Sequence, residues 1–367
     1  MINKRLYMDV HAIQVLPPSN INRDDTGSPK TAQYGGVRRA RVSSQAWKRA
    51  MRSYFHENSL EVGVGVRTKD IVSYVAEKVV SLAPEMDYDI AFKEAETALN
   101  NAGISTAKDH KAKALFFMGD RQAEMLAKAI VNGEHTKNDK DKLQQILNDN
   151  PEIDIALFGR MVADDPKLNT DAVCQVAHAI STHAVQTEFD YYTAMDDLSP
   201  EDQAGAGMLG NIEYNSSTLY RYANISVHEF IKMLGDEAST IAACKLFIEA
   251  FSNSMPTGKI NTFANQTLPS FVMVTLREDR PVNLVSAFEQ PVQVKAGSGY
   301  VNKSIEKLMA EYEKTGKFVD TPLGNFYLDV TGQSGDEAGE ICDNLKNLLE
   351  KVGHKIEGCL KDAGDLN

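Results

Sequence analysis

Apolar and polar positions alternate over residues 6 to 16, which predicts a first strand ending at Pro17-Pro18. A turn-rich stretch follows from Asn20 to Gly36, and Val37 to Val42 then alternates basic with small or apolar residues. That is the pattern of a short strand with one charged face. Ser43 or Ser44 caps the helix that comes next. On it Trp47, Met51, Tyr54 and Phe55 line one face, while Gln45, Lys48, Arg49 and Arg52 line the other. One face is core and the other is basic.

Residues 69 to 102 predict two helices broken near Pro84, and a short strand around Leu115 to Met118 precedes helical patterns that run to about Asn148. Ile153 to Met161 has the composition of a buried strand, and Asp171 starts a helix through Cys174, His178 and Ile180. Gly205, Gly207 and Gly210, flanked by aromatic residues, point to a projecting hairpin between Asp190 and Ser217. Strands at Thr218 to Val227 and Phe271 to Leu276 bracket a helix near Asp236 to Ser254, and beyond Pro281 the pattern is indistinct until an acidic, exposed helix after Gly335. The fold class is therefore α+β.

With 367 residues, 43% hydrophobic and 25% charged, the chain can bury a sizeable core as one large domain or two joined parts. Met1 to Val10 leads into Asp9 and His11 instead of an apolar signal core, and no apolar run approaches the roughly 18 residues of a membrane span. Cys174, Cys244, Cys342 and Cys359 are far apart, with no zinc or redox spacing, which fits a reducing cytoplasm.

A net charge of -12 argues at first against a nucleic-acid partner. Its distribution argues the other way. From Asn22 to Arg52, eight basic residues face only Asp24 and Asp25, a local balance of +6 that leaves -18 for the remainder. Screening confines exposed charges to a reach of about 8–10 Å, so a polyanion feels the patch. Asn22, Arg23 and Lys30 in the loop, Arg38 on the strand, and Ser43, Gln45, Lys48, Arg49 and Arg52 on the helix suit a phosphate backbone held without base readout. The plainer alternative is a solvated basic face.

Other candidates are weaker. Asp24-Asp25 could hold a metal for phosphodiester cleavage, but an aspartate beside arginines more often organises its loop. His178 and His183 are spaced too awkwardly to share a helical face and lack the HExxH pattern, so no metal site is expected. Gly35-Gly36 suits a tight turn better than a phosphate loop, and Trp47 suits the core.

The stretch YGGVRRARVSSQAWKRAMR, Tyr34 to Arg52, preceded by Asn22-Arg23-Asp24-Asp25, resembles the CasC family, the backbone subunits of the type I-E CRISPR complex Cascade. Similar blocks are Ile153-Asp154-Ile155-Ala156-Leu157 with Gly159-Arg160-Met161, Ala177 to His183, Tyr192 to Leu198, and Tyr220 to Ile225. Order and spacing match to about residue 290.

The resemblance implies an RRM-like (ferredoxin-like) palm from residues 1–60, 151–189 and 218–330, a helical finger insertion at 61–150, a thumb hairpin at 190–217 and an acidic C-terminal helix at 331–367. It implies a non-catalytic, cofactor-free protein whose copies line up along the spacer of a CRISPR RNA. Partners would be that RNA, target DNA paired to it, and other Cascade subunits. By position, Arg23, Lys30, Ser43, Gln45, Lys48, Arg49 and Arg52 would hold the RNA backbone, with Arg160 and Met161 as further contacts. Tyr192 and Met195 would wedge beside a displaced nucleotide. In related type III backbone subunits an aspartate in a comparable loop cuts RNA, which makes a ribonuclease using Asp24 or Asp25 the alternative.

Overall fold

Alternation at the N-terminus does form a strand, β1 (Tyr7–Ser19), but it runs through both prolines. Pro17 and Pro18 lie beyond Gln14, the last residue paired to the neighbouring strand Pro269–Arg277, so their missing N–H groups break no bond on that side. The computed structural model describes residues 5–58, 63–194, 208–334 and 338–364. After β1 come β2 (Thr31–Tyr34), β3 (Val37–Val42), α1 (Ser44–Asn58), β4 (Val66–Thr68), α2 (Ile71–Leu82), α3 (Tyr88–Ala102), β5 (Phe116–Met118), α4 (Asp120–Val131), α5 (Lys140–Asn148) and α6 (Ile153–Phe158). The order continues with β6 (Cys174–Val176), β7 (Ala179–Ser181), β8 (Glu188–Ala194), β9 (Met208–Ser226), α7 (Val227–Leu234), α8 (Glu237–Asn253), α9 (Ile260–Phe263), β10 (Pro269–Arg277), α10 (Val301–Thr315), β11 (Gly324–Asp329), β12 (Glu340–Ile341) and α11 (Leu345–Gly364). No helix among the described residues is long and apolar enough to cross a membrane.

Cα proximity divides the chain into two units. One holds residues 55–175 and 225–246 of the described chain. Its core is where α2, α3, α4 and α5 bring together Val75, Val79, Ala95, Leu99, Leu126 and Leu147. Alanines at Ala91, Ala95, Ala98 and Ala102 let α3 approach closely.

The other unit carries a mixed, mostly antiparallel sheet ordered β12-β11-β10-β1-β9-β7-β3-β2. Ile13, Phe271, Met273 and Tyr327 on it pack with Leu284, Phe288, Ile305 and Leu308 into one apolar cluster. The β2–β3 turn is Gly35-Gly36, with φ of 59° and 76°, the left-handed pair that a two-residue hairpin requires. A side chain at Gly35 would also strike the Glu289 carbonyl.

Three sequence expectations fail. Ile153 to Phe158 is helical instead of a strand, because a short apolar run does not by itself select between the two, and Gly159 at φ 76° ends the turn. The expected helix from Asp171 is instead β6 and β7. There Ile180 pairs with both Arg41 and Tyr220, and sheet pairing outweighs any helical tendency. The expected acidic C-terminal helix is α11, yet it carries Lys346, Lys351, Lys355 and Lys361 against Glu350, Glu357 and Asp362, and it is not simply exposed, since Leu348, Val352, Ile356 and Leu360 at helical spacing are buried and α11 packs on β11.

Polar groups sit inside this sheet. The Asp9 carboxylate accepts from the Tyr222 hydroxyl at 2.7 Å and from the Val282 amide at 3.1 Å. Arg277 Nε stands 3.6 Å away, too far to offset burial, which pushes Asp9 up to about 7. His11, whose Nδ1 meets the Tyr220 hydroxyl at 2.9 Å, is pushed down to about 3, by burial first and Arg277 second.

The two groups act on stability in opposite directions. Protonated Asp9 stabilises the fold fully below its ordinary 3.8, and that contribution is lost as pH rises through about 7. Neutral His11 stabilises it above 6.5, and that contribution is lost as pH falls toward about 3. Denaturant melts between pH 3 and 8 should therefore show Asp9→Asn gaining stability with rising pH more steeply than wild type. His11→Gln should shift the slope toward loss, and parallel profiles for all three proteins would contradict the assignment.

Candidate nucleic-acid interface

The basic block folds around the start of α1, within the sheet-bearing unit. Asn22 Oδ1 accepts from the Ser43 amide at 2.8 Å, the Lys30 amide donates to the Asn22 carbonyl, and the Arg41 amide donates to the Lys30 carbonyl. These bonds fasten the loop to both β3 and α1. Within the loop, Asp24 Oδ1 accepts from the Thr26 hydroxyl at 2.7 Å and from the Thr26 and Ser28 amides, each at 3.0 Å. The Thr26 hydroxyl is the main reason that Asp24 is held below the usual carboxylate range. Asp24 thus braces the loop through its own backbone, and Arg23 is brought opposite Pro29 at the loop neck.

Ser43 is buried and caps α1, its oxygen accepting from the Ala46 amide at 3.3 Å. The oxygen of Ser43, expected to hold the RNA backbone, is thus engaged as a helix cap, while its O–H remains a donor. Along α1, Gln45 and Arg49 are exposed while Lys48 and Arg52 are half-buried on the side opposite Trp47. Arg23 and Arg38 are exposed, and Lys30 and Arg41 half-buried. None of Arg23, Lys30, Arg38, Arg41 or Arg49 meets a carboxylate among the described residues, although many lysines elsewhere do. Those five cations are uncompensated among the described residues.

β3 does not present one charged face. Arg39 is fully buried, giving its guanidinium to the carbonyls of Tyr34, Ser181 and Phe288, the last at 2.7 Å. Strand alternation sets Arg41 on the side of Arg39, and Arg38 on the side of Ala40 and Val42, which join Trp47 in the core.

What holds α1 to the sheet is a residue that sequence reasoning passed over. Arg221, buried in β9, lays its guanidinium 3.6 Å from the Trp47 ring centroid and 4.3 Å from that of Phe251. It donates to Gln14 Oε1 and to the Phe251 carbonyl, each at 2.6 Å. Burial pushes its pKa down to about 9. An arginine flanked by Leu219, Tyr220, Tyr222 and Ala223 was the available signal.

Arg160 and Met161 belong to the other unit. Met161 is 85% exposed, but Arg160 is buried and donates to the carbonyls of Leu168, Phe117 and Leu147 and to Asn148 Oδ1. Burial pushes it down to about 10. As an RNA contact through its guanidinium, Arg160 is corrected: it knits loops together. Of the two histidines, His178 Nδ1 accepts from the Ser44 amide at 3.0 Å, whereas His183 is buried, stacked 3.7 Å from Tyr300, with Nε2 accepting from the Thr218 amide. Neither lies on a helix.

Glu188 to Ala194 pair antiparallel with Met208 to Tyr214, making a hairpin that exposes Phe189, Tyr191 and Leu209 on one face. Tyr192 lies over Gly210 on the other face, where any side chain at 210 would collide with its ring. Met195 lies outside the described residues.

Fold and surface together define an α+β protein with a cationic loop and helix at the edge of a mixed sheet. The chain belongs to the CT1975-like protein family, a Cas family whose model matches residues 8–351. No curated protein matches it. Among solved structures, a chain of "CRISPR RNA-guided surveillance complex, pre-nicking" is 31% identical with a TM-score of 0.84, the match covering 95% of this chain and 100% of that one. A chain of a "CRISPR RNA-guided surveillance complex" is 28% identical with a TM-score of 0.64, covering 95% and 98%.

Arg160→Ala leaves several buried acceptors without a donor and should cost about 2–4 kcal/mol in chemical denaturation. The salt dependence of nucleic-acid binding should stay unchanged. A shallower salt slope with undiminished stability would make Arg160 a phosphate ligand after all.

Proposed function

We propose that this chain is the non-catalytic backbone subunit of a CRISPR RNA-guided surveillance complex of the type I-E Cascade kind. It coats the spacer of a CRISPR RNA through the sugar-phosphate chain and presents the bases for pairing with target DNA in antiviral defence. The observation that carries this reading is that Arg23, Lys30, Arg38, Arg41 and Arg49 gather around the start of α1 with no carboxylate partner among the described residues, in a chain similar over 95% of its length to one from an RNA-guided surveillance complex.

A coat must be indifferent to spacer sequence, so phosphate contacts suit it and base-edge contacts would be a defect. Arg23, Arg49 and Arg52 offer forked donors, Lys30 and Lys48 point charges and Gln45 a neutral polar arm, all of the required kind. In this reading the sheet with α1 is the RRM-like palm, α2 to α5 are the finger, and the β8–β9 hairpin is the thumb. The exposed hairpin aromatics supply apolar surface for a splayed nucleotide. Copies line up as a filament beside other Cascade subunits in the cytoplasm, and base pairing alone reads the target.

The ribonuclease alternative is disfavoured by the position of Asp24, whose Oδ1 already takes three donors of its own loop. Purified protein incubated with RNA and magnesium should leave the RNA intact, and cleavage abolished by Asp24→Ala or Asp25→Ala would reverse the assignment. Lys48→Ala with Arg52→Ala should weaken binding equally for unrelated spacers. Removing one phosphate-binding cation should reduce the log–log salt slope by about 0.7. Losses that depend on spacer sequence would show base readout instead.

A further inference from the structure

A further polar constellation lies beside the start of α1. His178, exposed on the turn between β6 and β7, accepts the Ser44 amide hydrogen at Nδ1 over 3.0 Å. A backbone amide only donates, so Nδ1 carries no proton. The ring is then neutral, with its one hydrogen on Nε2. Protonating Nδ1 would set two donors against each other. The surroundings act in the same direction, since burial, Arg41 and Lys30, in that order, hold His178 below the ordinary histidine range.

Those two cations are close neighbours by the backbone bond from Arg41 to Lys30. Arg41 uses Nε on the Thr31 carbonyl at 3.3 Å. Its terminal nitrogens, Lys30 Nζ and His178 Nε2 have no acceptor among the described residues. Arg41 pairs in the sheet with Ile180, two residues beyond His178, and Lys30 is bonded to Arg41, so the three residues are neighbours. They bring donors of three kinds, a fork, a point charge and a neutral N–H, without an acceptor among the described residues.

We propose that Lys30, Arg41 and His178 form one phosphate subsite for a single-stranded polynucleotide, with His178 giving a neutral hydrogen bond through Nε2–H. The subsite rests on the RNA-backbone reading above and adds two residues to it. Its chemistry is specific in one respect: two members release counterions when a phosphate binds, and the third releases none.

The full chain, labelled with 15N-histidine, would be titrated with a mixed-sequence single-stranded RNA, His178→Gln serving to assign the ring. The free protein should show the Nε2–H tautomer for His178, and RNA should shift its Nε2 signal while Nδ1 remains an acceptor. In parallel binding titrations, Lys30→Ala and Arg41→Ala should each flatten the salt slope by about 0.7. His178→Ala should weaken binding about tenfold with the slope unchanged. His178→Gln, which can both accept from Ser44 and donate outward, should recover most of that loss.

RNA bound by wild type with the His178 signals unmoved would overturn the subsite while leaving the backbone reading intact. So would a slope that falls in His178→Ala as it does for the cations. Wild type that binds no RNA would remove the backbone reading and the subsite together. Should His178→Ala fail to fold, the wild-type ring signals decide alone.

Discussion

A buried arginine on the flat of the only tryptophan is the joint on which the cationic surface depends. Arg221 is an interior cation with no carboxylate beside it among the described residues, held by the ring faces of Trp47 and Phe251 and by two neutral oxygens. A planar guanidinium can stack and donate in its plane at once, which a lysine cannot. Because Gln14 lies on β1, Arg221 on β9, Trp47 on α1 and Phe251 on α8, the stack ties four elements at one point. The outward face of α1, with Gln45, Lys48, Arg49 and Arg52, takes its direction from that joint.

The same unit treats its arginines in two ways. Arg39 and Arg221 are buried, Arg39 giving its donors to the carbonyls of Tyr34, Ser181 and Phe288 and Arg221 to the Phe251 carbonyl and Gln14 Oε1. Arg23, Arg38, Arg41 and Arg49 meet no carboxylate among the described residues, in a protein whose net charge is -12. Screening limits the reach of exposed charges to about 8–10 Å, so local positive potential can coexist with a negative whole. Charge here is an arrangement, and the loop braced by Asp24 is part of it.

Much of this was legible in the residues. The Trp47, Met51 and Phe55 stripe placed α1 and its core face correctly, and the Gly35-Gly36 pair marked the β2–β3 turn, because helical period and left-handed backbone leave direct traces in sequence. Burial of individual charged residues left no such trace. Arg39 and Arg41 differ by two positions on one strand, yet one is interior and the other half-buried, and only the tertiary approach of Ser181 and Phe288 decides it. Arg160 misled for the same reason, and the segments at 153–161 and 171–181 misled because short apolar runs suit either regular structure. His178 was weighed as a metal ligand on a supposed helix, whereas its partner, the Ser44 amide, is 134 positions away in sequence.

Amide hydrogen exchange of the full chain, with and without single-stranded RNA of scrambled sequence, tests the central claim most directly. Added protection should gather in the loop from Asn20 to Lys30, the β2–β3 hairpin and the first turns of α1, and it should be the same for any RNA sequence. Protection absent from that block, or moving with the sequence supplied, would contradict a cationic surface that grips the sugar-phosphate chain.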